Sequence, residues 1–343
     1  MKVLPICLDP PVKMFLHHAL PLSIILAQEG NTNFLYANYI QLYKETKNKY
    51  LFDFYPRLGS MKTYGQYLND NILENHIITA DIFELNKKDF IHNIIYWIDK
   101  GFYVQINCDE SKIIGTPGYN KDRLVEHPAL YYGYNEKKNR LSMLSFDYNY
   151  NFTCLEVDYE MVIESVLSKK LLELQEKRGI NKYAIQLRKV KLDILHNNYD
   201  DKNTIIHIKK YLVEYLSGFN LYHNNAWSGV DCRNTVWGIG VYKIFIEALN
   251  GKYANDFIFE NICGLVEHKS IMLDRFRYLR RMGIDVSNEM IDEQETIVRK
   301  MQILKNKIVK SMIVHEELSV YANFLEDIVE SEQTLLANIL QYF

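Results

Sequence analysis

His127 and Asp147 are the residues of this sequence best suited to move a proton together. His127 opens the run HPALYYGYN, Asp147 closes the run LSMLSFD, and the polar residues Asn135, Glu136, Lys137 and Lys138 join the two. Both runs are β-rich, so the pattern predicts a hairpin. Antiparallel pairing would bring the start of the first strand to the end of the second. A carboxylate placed there can fix one imidazole tautomer and stabilise the imidazolium, which is the base-plus-orienter half of a nucleophilic triad. The same two residues also read as a structural histidine–carboxylate hydrogen bond, and the residues alone leave both readings open.

A second group of polar residues lies near the start. His17 and His18 fall at the beginning of a predicted helix over 15–28, whose apolar positions are Phe15, Leu16, Ala19, Leu20, Ile24 and Ile25. Adjacent helical residues point about 100° apart, which disfavours joint ligation of one metal. Cys7 lies upstream, before Asp9, Pro10 and Pro11. As a nucleophile it would need the following helix to begin close by, since a helix N-terminus lowers a thiol's pKa. The five cysteines (Cys7, Cys108, Cys154, Cys232 and Cys263) form no CxxC pair. Neither a zinc site nor a disulfide framework is expected, and buried, reduced thiols are. Asp109 and Glu110, directly after Cys108, should raise its thiol's pKa.

These residues need elements to hold them. The spacing predicts a strand over 50–55, an amphipathic helix over Lys87–Lys100 ended by Gly101, and a strand over Phe102–Asn107. The segment Phe34–Tyr43 reads as helix or strand. A Gly/Pro-containing loop follows at 113–120, then the hairpin, then a further strand over 151–157. Asp158 is the expected N-cap of a helix over 159–175. Beyond Lys177 the pattern turns mostly helical, with helices over 203–216, 235–249, 257–281, 288–313 and 315–340. Pro21 should kink the first helix or mark its true start.

A length of 343 residues allows about two domains, and the change of character divides them at 1–160 and 161–343. The expected class is α+β: an antiparallel sheet with an N-terminal helix, followed by a C-terminal helical bundle region. With 40 Lys+Arg against 43 Asp+Glu, the net charge of −3 argues against a general nucleic-acid binder. No run of 18 apolar residues suggests a membrane span, and the apolar N-terminal stretch lacks the charged flank and small-residue cleavage site of a signal peptide. The expected location is therefore the cytoplasm.

The order of the pieces adds a family to this reading. FLHHALPLSII, FLYANYIQLY, GFYVQINCD, the Gly/Pro loop, the HPALYYGYN…LSMLSFD hairpin and a helical tail follow one another. The chain thereby resembles the butirosin biosynthesis protein H family, whose N-terminal region is papain-like. The resemblance covers most of the chain and rests best on the His-and-Asp hairpin. It implies a Cys–His–Asp site that moves an acyl group from a carrier-protein thioester to an amine, in nonribosomal peptide or other specialised-metabolite biosynthesis. Residue by residue, His127 corresponds to the base and Asp147 to its orienter. Apart from that correspondence, His18 is expected as a second polar group of the cleft. The family's cysteine belongs near Phe15–Ala19, where this sequence has none.

Three readings follow from that departure. In the first, His18 or His127 deprotonates the attacking amine directly. In the second, Cys7 serves as nucleophile. In the third, the protein is a catalytically inactive papain-like scaffold that binds a carrier protein or peptide. The partners implied are an acyl- or peptidyl-carrier protein and a small-molecule amine, with no nucleic acid and no membrane, and a homodimer is compatible with them. No cofactor or metal is implied beyond a phosphopantetheine arm presented by the carrier, which would call for a narrow apolar channel with a basic rim.

Overall fold

A computed structural model describes residues 1–28, 32–45, 52–55, 72–78, 87–178, 185–219, 234–252 and 255–343. Cys232 and the first two residues of the strand expected over 50–55 lie outside the described residues. In chain order the elements are β1 (Lys2–Val3), α1 (Leu16–Ile25), α2 (Thr32–Ala37), β2 (Gln41–Glu45), β3 (Asp53–Tyr55), β4 (Leu73–Ile78), α3 (Lys87–Asp99), β5 (Tyr103–Asp109), β6 (Glu126–Asn135), β7 (Arg140–Phe146) and β8 (Phe152–Asp158). They continue with α4 (Tyr159–Val166), α5 (Lys169–Lys177), β9 (Ile185–Val190), α6 (Leu192–Asn198), α7 (Asp201–Ser217), β10 (Thr235–Trp237), α8 (Val241–Glu247), α9 (Asn255–Arg281), α10 (Asn288–Val314) and α11 (Ala322–Ile339). The protein is thus a mixture of helices and antiparallel sheet, as an α+β class requires.

The chain forms two compact units. One comprises Met1–Pro10, Leu16–Glu29 and Asp70–Leu192; the other comprises Pro11–Phe15, Gly30–Asn69 and Asp193–Phe343. This corrects the single division at residue 160. Strand β9, at 185–190, pairs with both β4 and β5, so the first unit needs the chain as far as Leu192. Strands β2 and β3 pair with one another, and β2 also pairs with β10, which draws an early segment into the second unit.

The sheet of the first unit has the order β4-β9-β5-β6-β7-β8, with β1 added on β6, and every pair is antiparallel. Opposed residues share a face. Val104, Ile106 and Cys108 of β5 therefore stand with their partners Tyr131, Ala129 and His127 of β6 on one side. Five of the six are buried, and the His127 side chain, 44% exposed, closes the row at its open end. The hairpin turns at Asn135–Asn139, where Asn139 takes the left-handed conformation that a short polar side chain tolerates.

In the second unit, helices α7, α9, α10 and α11 bury apolar residues at helical spacing. On α10 these are Ile297, Met301, Leu304 and Ile308. Ser287 caps its start by accepting the Met290 N–H at 3.3 Å. Gly218, at φ +65°, ends α7 as expected.

Several elements differ from expectation. The helix expected over 159–175 is broken into α4 and α5 at 167–168, and Asp158, the last residue of β8, bonds the Arg140 side chain at 2.9 Å and caps nothing with its own. The helix expected over 235–249 begins with strand β10 and a turn at Gly238 (φ +56°). A Cβ there would lie 2.1 Å from the Tyr215 carbonyl oxygen, so only glycine fits. Residues 315–318 stand outside helix, and α11 starts at Ala322. Pro21 sits inside α1, which continues through it. No helix among the described residues is long and apolar enough to cross a membrane.

Candidate functional site

Residues Cys108 to Glu110 and His127 build the site. β5 and β6 run antiparallel with Cys108 opposite His127, and the chain turns out of β5 directly into a one-turn helix at Glu110–Lys112. That turn carries the Glu110 carboxylate back towards β6. His127 Nδ1 lies 2.9 Å from Glu110 Oε1. Glu110 is completely buried. The contact is a close charge-to-ring approach without the direction of a linear hydrogen bond: neither carboxylate oxygen nor Nδ1 has an aligned hydrogen-bond partner.

Glu110 is held there from several sides. Its N–H donates to the Val125 carbonyl at 2.9 Å, and its own carbonyl accepts from the Ile113 N–H and the Thr116 hydroxyl, both at 3.0 Å. Gly118 packs against it so closely that a Cβ would lie 2.6 Å from the Glu110 Cβ. The neighbouring Asp109, also fully buried, is spent on structure. Its Oδ1 accepts from the N–H groups of Ser111 (3.1 Å) and Val125 (3.3 Å), and its Oδ2 accepts from the Ser168 hydroxyl at 2.7 Å. Asp109 thus clips both ends of the 110–125 loop to the start of α5, and Glu110 is left facing the imidazole.

Cys108 does not supply a nucleophile at this point. Burial pushes its thiol well up, and the carboxylates of Glu110, Asp109 and Glu126 push in the same direction. Burial likewise raises the Cys154 thiol, and it takes that of Cys263 up to about 11. A thiol is reactive as thiolate, so none of these three is activated.

The expected orienter lies elsewhere in function. Asp147 is on the exposed turn between β7 and β8, and its Oδ1 accepts the N–H groups of Asn149 (2.8 Å) and Asn151 (2.9 Å). Those bonds, led by the one from Asn151, hold its carboxyl below the usual carboxylate range. The β6–β7 ladder ends at Leu130–Leu144, before it reaches His127. Asp147 therefore closes its own turn, and the pairing of His127 with Asp147 is corrected to a pairing with Glu110.

His18 is fully buried and His17 half-buried on the first turn of α1, with ring centroids 4.5 Å apart. Cys7 is half-buried, and its backbone N–H donates to the Ser23 carbonyl of α1 at 3.0 Å. Among the described residues, none of Cys7, His17, His18 and Asp147 makes a hydrogen bond or ion pair with His127. Glu110 was legible only as a neighbour that raises the Cys108 pKa. The signal for its larger role would have been the β5–β6 pairing, which sets Cys108 against His127.

No family model matches the sequence, and a search of the curated proteins returns no match.

Proposed function

We propose that the protein is an acyl- or aminoacyl-transferase of the papain-like kind that the butirosin biosynthesis protein H resemblance implies, with a direct general-base mechanism. The observation that carries this reading is the half-exposed His127 imidazole held at 2.9 Å by a fully buried carboxylate, Glu110. A buried carboxylate this close to Nδ1 stabilises the imidazolium as it forms. The donor is a thioester on a carrier protein's phosphopantetheine arm, and the acceptor is a small-molecule amine. The amine nitrogen attacks the thioester carbonyl, His127 takes the proton from nitrogen, the carbon–sulfur bond breaks, and the proton passes to the departing thiolate. The thioester is already activated, so no covalent enzyme intermediate is needed.

A second reading has an observation of its own. Three cysteine thiols are pushed upward by burial, so a scaffold that binds a carrier protein or peptide without turnover also fits. The two are separated by incubating the protein with a panel of acyl-pantetheine thioesters and primary amines and following thiol release and amide formation. The transferase reading expects amide formation that falls by roughly two orders of magnitude or more in His127→Ala and persists in Cys7→Ala. Turnover equal in wild type and His127→Ala would refute the base assignment. No turnover across the panel, with carrier protein still bound, would favour the scaffold.

A further inference from the structure

Helices α9 and α10 leave a groove of about 420 Å³ on the second unit, floored by Phe259 of α9 and by Val309, Ile313 and Val314 of α10. Lys305 and Lys310 also line it, and among the described residues no Asp or Glu does. On α10 the residues 305, 309 and 313 recur every four positions, with 310 and 314 beside them, so they form one stripe about 14 Å long. Three of the floor residues stand well out to solvent: Ile313 is 72% exposed, Val314 51% and Phe259 40%. Scattered apolar residues on a surface are ordinary, whereas a concave group with cationic sides is the pattern of a recognition site.

Lys310 is exposed and Lys305 half-buried. Neither lysine has a carboxylate within ion-pair distance among the described residues. The acidic group that Lys305 faces is Glu267, one turn beyond Cys263 on α9. Its carboxylate already accepts the backbone N–H groups of Lys13 (3.0 Å) and Met14 (3.1 Å). The groove therefore keeps positive charge to offer. Its walls are two helices, so an extended peptide would find no sheet edge to join; side chains must do the recognising.

We infer that this groove docks a short amphipathic helix of a partner protein, whose apolar face seats on Phe259, Val309, Ile313 and Val314 while Asp or Glu at its edges meets Lys305 and Lys310. A concave floor suits a convex helix better than it suits a flat lipid surface. This inference is independent of acyl transfer, because it needs only the groove.

The test uses fluorescence anisotropy on the full-length chain with a labelled, helix-stabilised peptide of about 14 residues, long enough to cover the stripe. Leucines at i, i+3, i+4 and i+7 make its apolar face, and glutamates flank it. A second peptide carries lysines in place of the glutamates, and vesicles of anionic lipid form a third arm. The acidic peptide should bind saturably, about tenfold tighter than the basic one, and more weakly as salt rises. The double change Lys305→Glu and Lys310→Glu should reverse the preference. Ile313→Asp, at an exposed position that leaves the fold intact, should abolish binding. Equal binding of the two peptides, indifference to the charge reversal, or no saturable binding of the acidic peptide would overturn the inference. Binding to the vesicles that the peptide fails to match would overturn it in favour of a membrane surface.

Discussion

Glu110 in the sheet unit and Glu332 in the helical unit are both fully buried carboxylates, and their surroundings could hardly differ more. Glu332, on α11, accepts the Lys269 ammonium of α9 at 2.6 Å on each oxygen and the Tyr215 hydroxyl of α7 at 3.0 Å. Lys269 also reaches His268 Nδ1 at 3.3 Å and lies 4.6 Å from the centre of the Tyr242 ring of α8. Every charge in that cluster has a partner, and its four helices are tied together by it. Burial still lowers the Lys269 pKa, against the raising effect of Glu332. The Glu110 carboxylate has no aligned hydrogen bond, and the polar side chain it approaches is a half-exposed imidazole. A satisfied buried carboxylate holds a fold together. An unsatisfied one beside a half-exposed imidazole is a burden on the fold, which makes the pair a candidate site.

The largest expected effect breaks the satisfied side of this contrast. Lys269→Met leaves Glu332 buried and uncompensated, and should destabilise the protein by about 3–5 kcal/mol. Adding Glu332→Leu, which removes both charges, should restore most of that loss. Urea denaturation of the single and double variants checks both. A loss below about 1 kcal/mol in the single variant would mean that the cluster is not closed to water.

Glu267 sharpens the comparison from an intermediate position. It is part-buried, bonds two backbone N–H groups, and is raised from the ordinary 4.5 to about 7, chiefly by burial. The folded state therefore keeps a proton that the unfolded chain gives up between these two values. Stability falls as pH rises through that window, and the penalty is fully present above about 7. Glu267→Gln keeps an oxygen to accept both N–H groups and cannot ionise. Relative to wild type it should gain stability at pH 8, by no more than about 3 kcal/mol and less where water screens the group, and should show no gain at pH 4. Denaturant midpoints of the two proteins across that range are the measurement, and parallel curves would contradict the assignment.

Much of this framework was legible in the residues. The helix ended by Gly101, the 135–139 turn of the hairpin, the Gly218 stop and the long amphipathic helices α9 and α10 all follow from local signals that agree with the fold. Strand β9 was not, because IQLRKV mixes apolar and cationic residues and gains its place only by pairing with β4 and β5. The interleaving of the two units was hidden for the same reason: β2 meets β10 across nearly two hundred residues of chain. His127 could be picked out as the candidate base by its place at the head of a strand. Its partner could not, since Asp147 has the better sequence position while Glu110 wins through the β5–β6 register and the turn that follows.

The most direct test is the pair of imidazole nitrogen signals of His127, read by NMR in the wild type and in Glu110→Gln and Asp147→Asn. The expected result is a clear displacement of both signals in Glu110→Gln and wild-type signals in Asp147→Asn. Displacement by Asp147→Asn, or indifference to Glu110→Gln, would contradict the pairing on which the proposed chemistry stands.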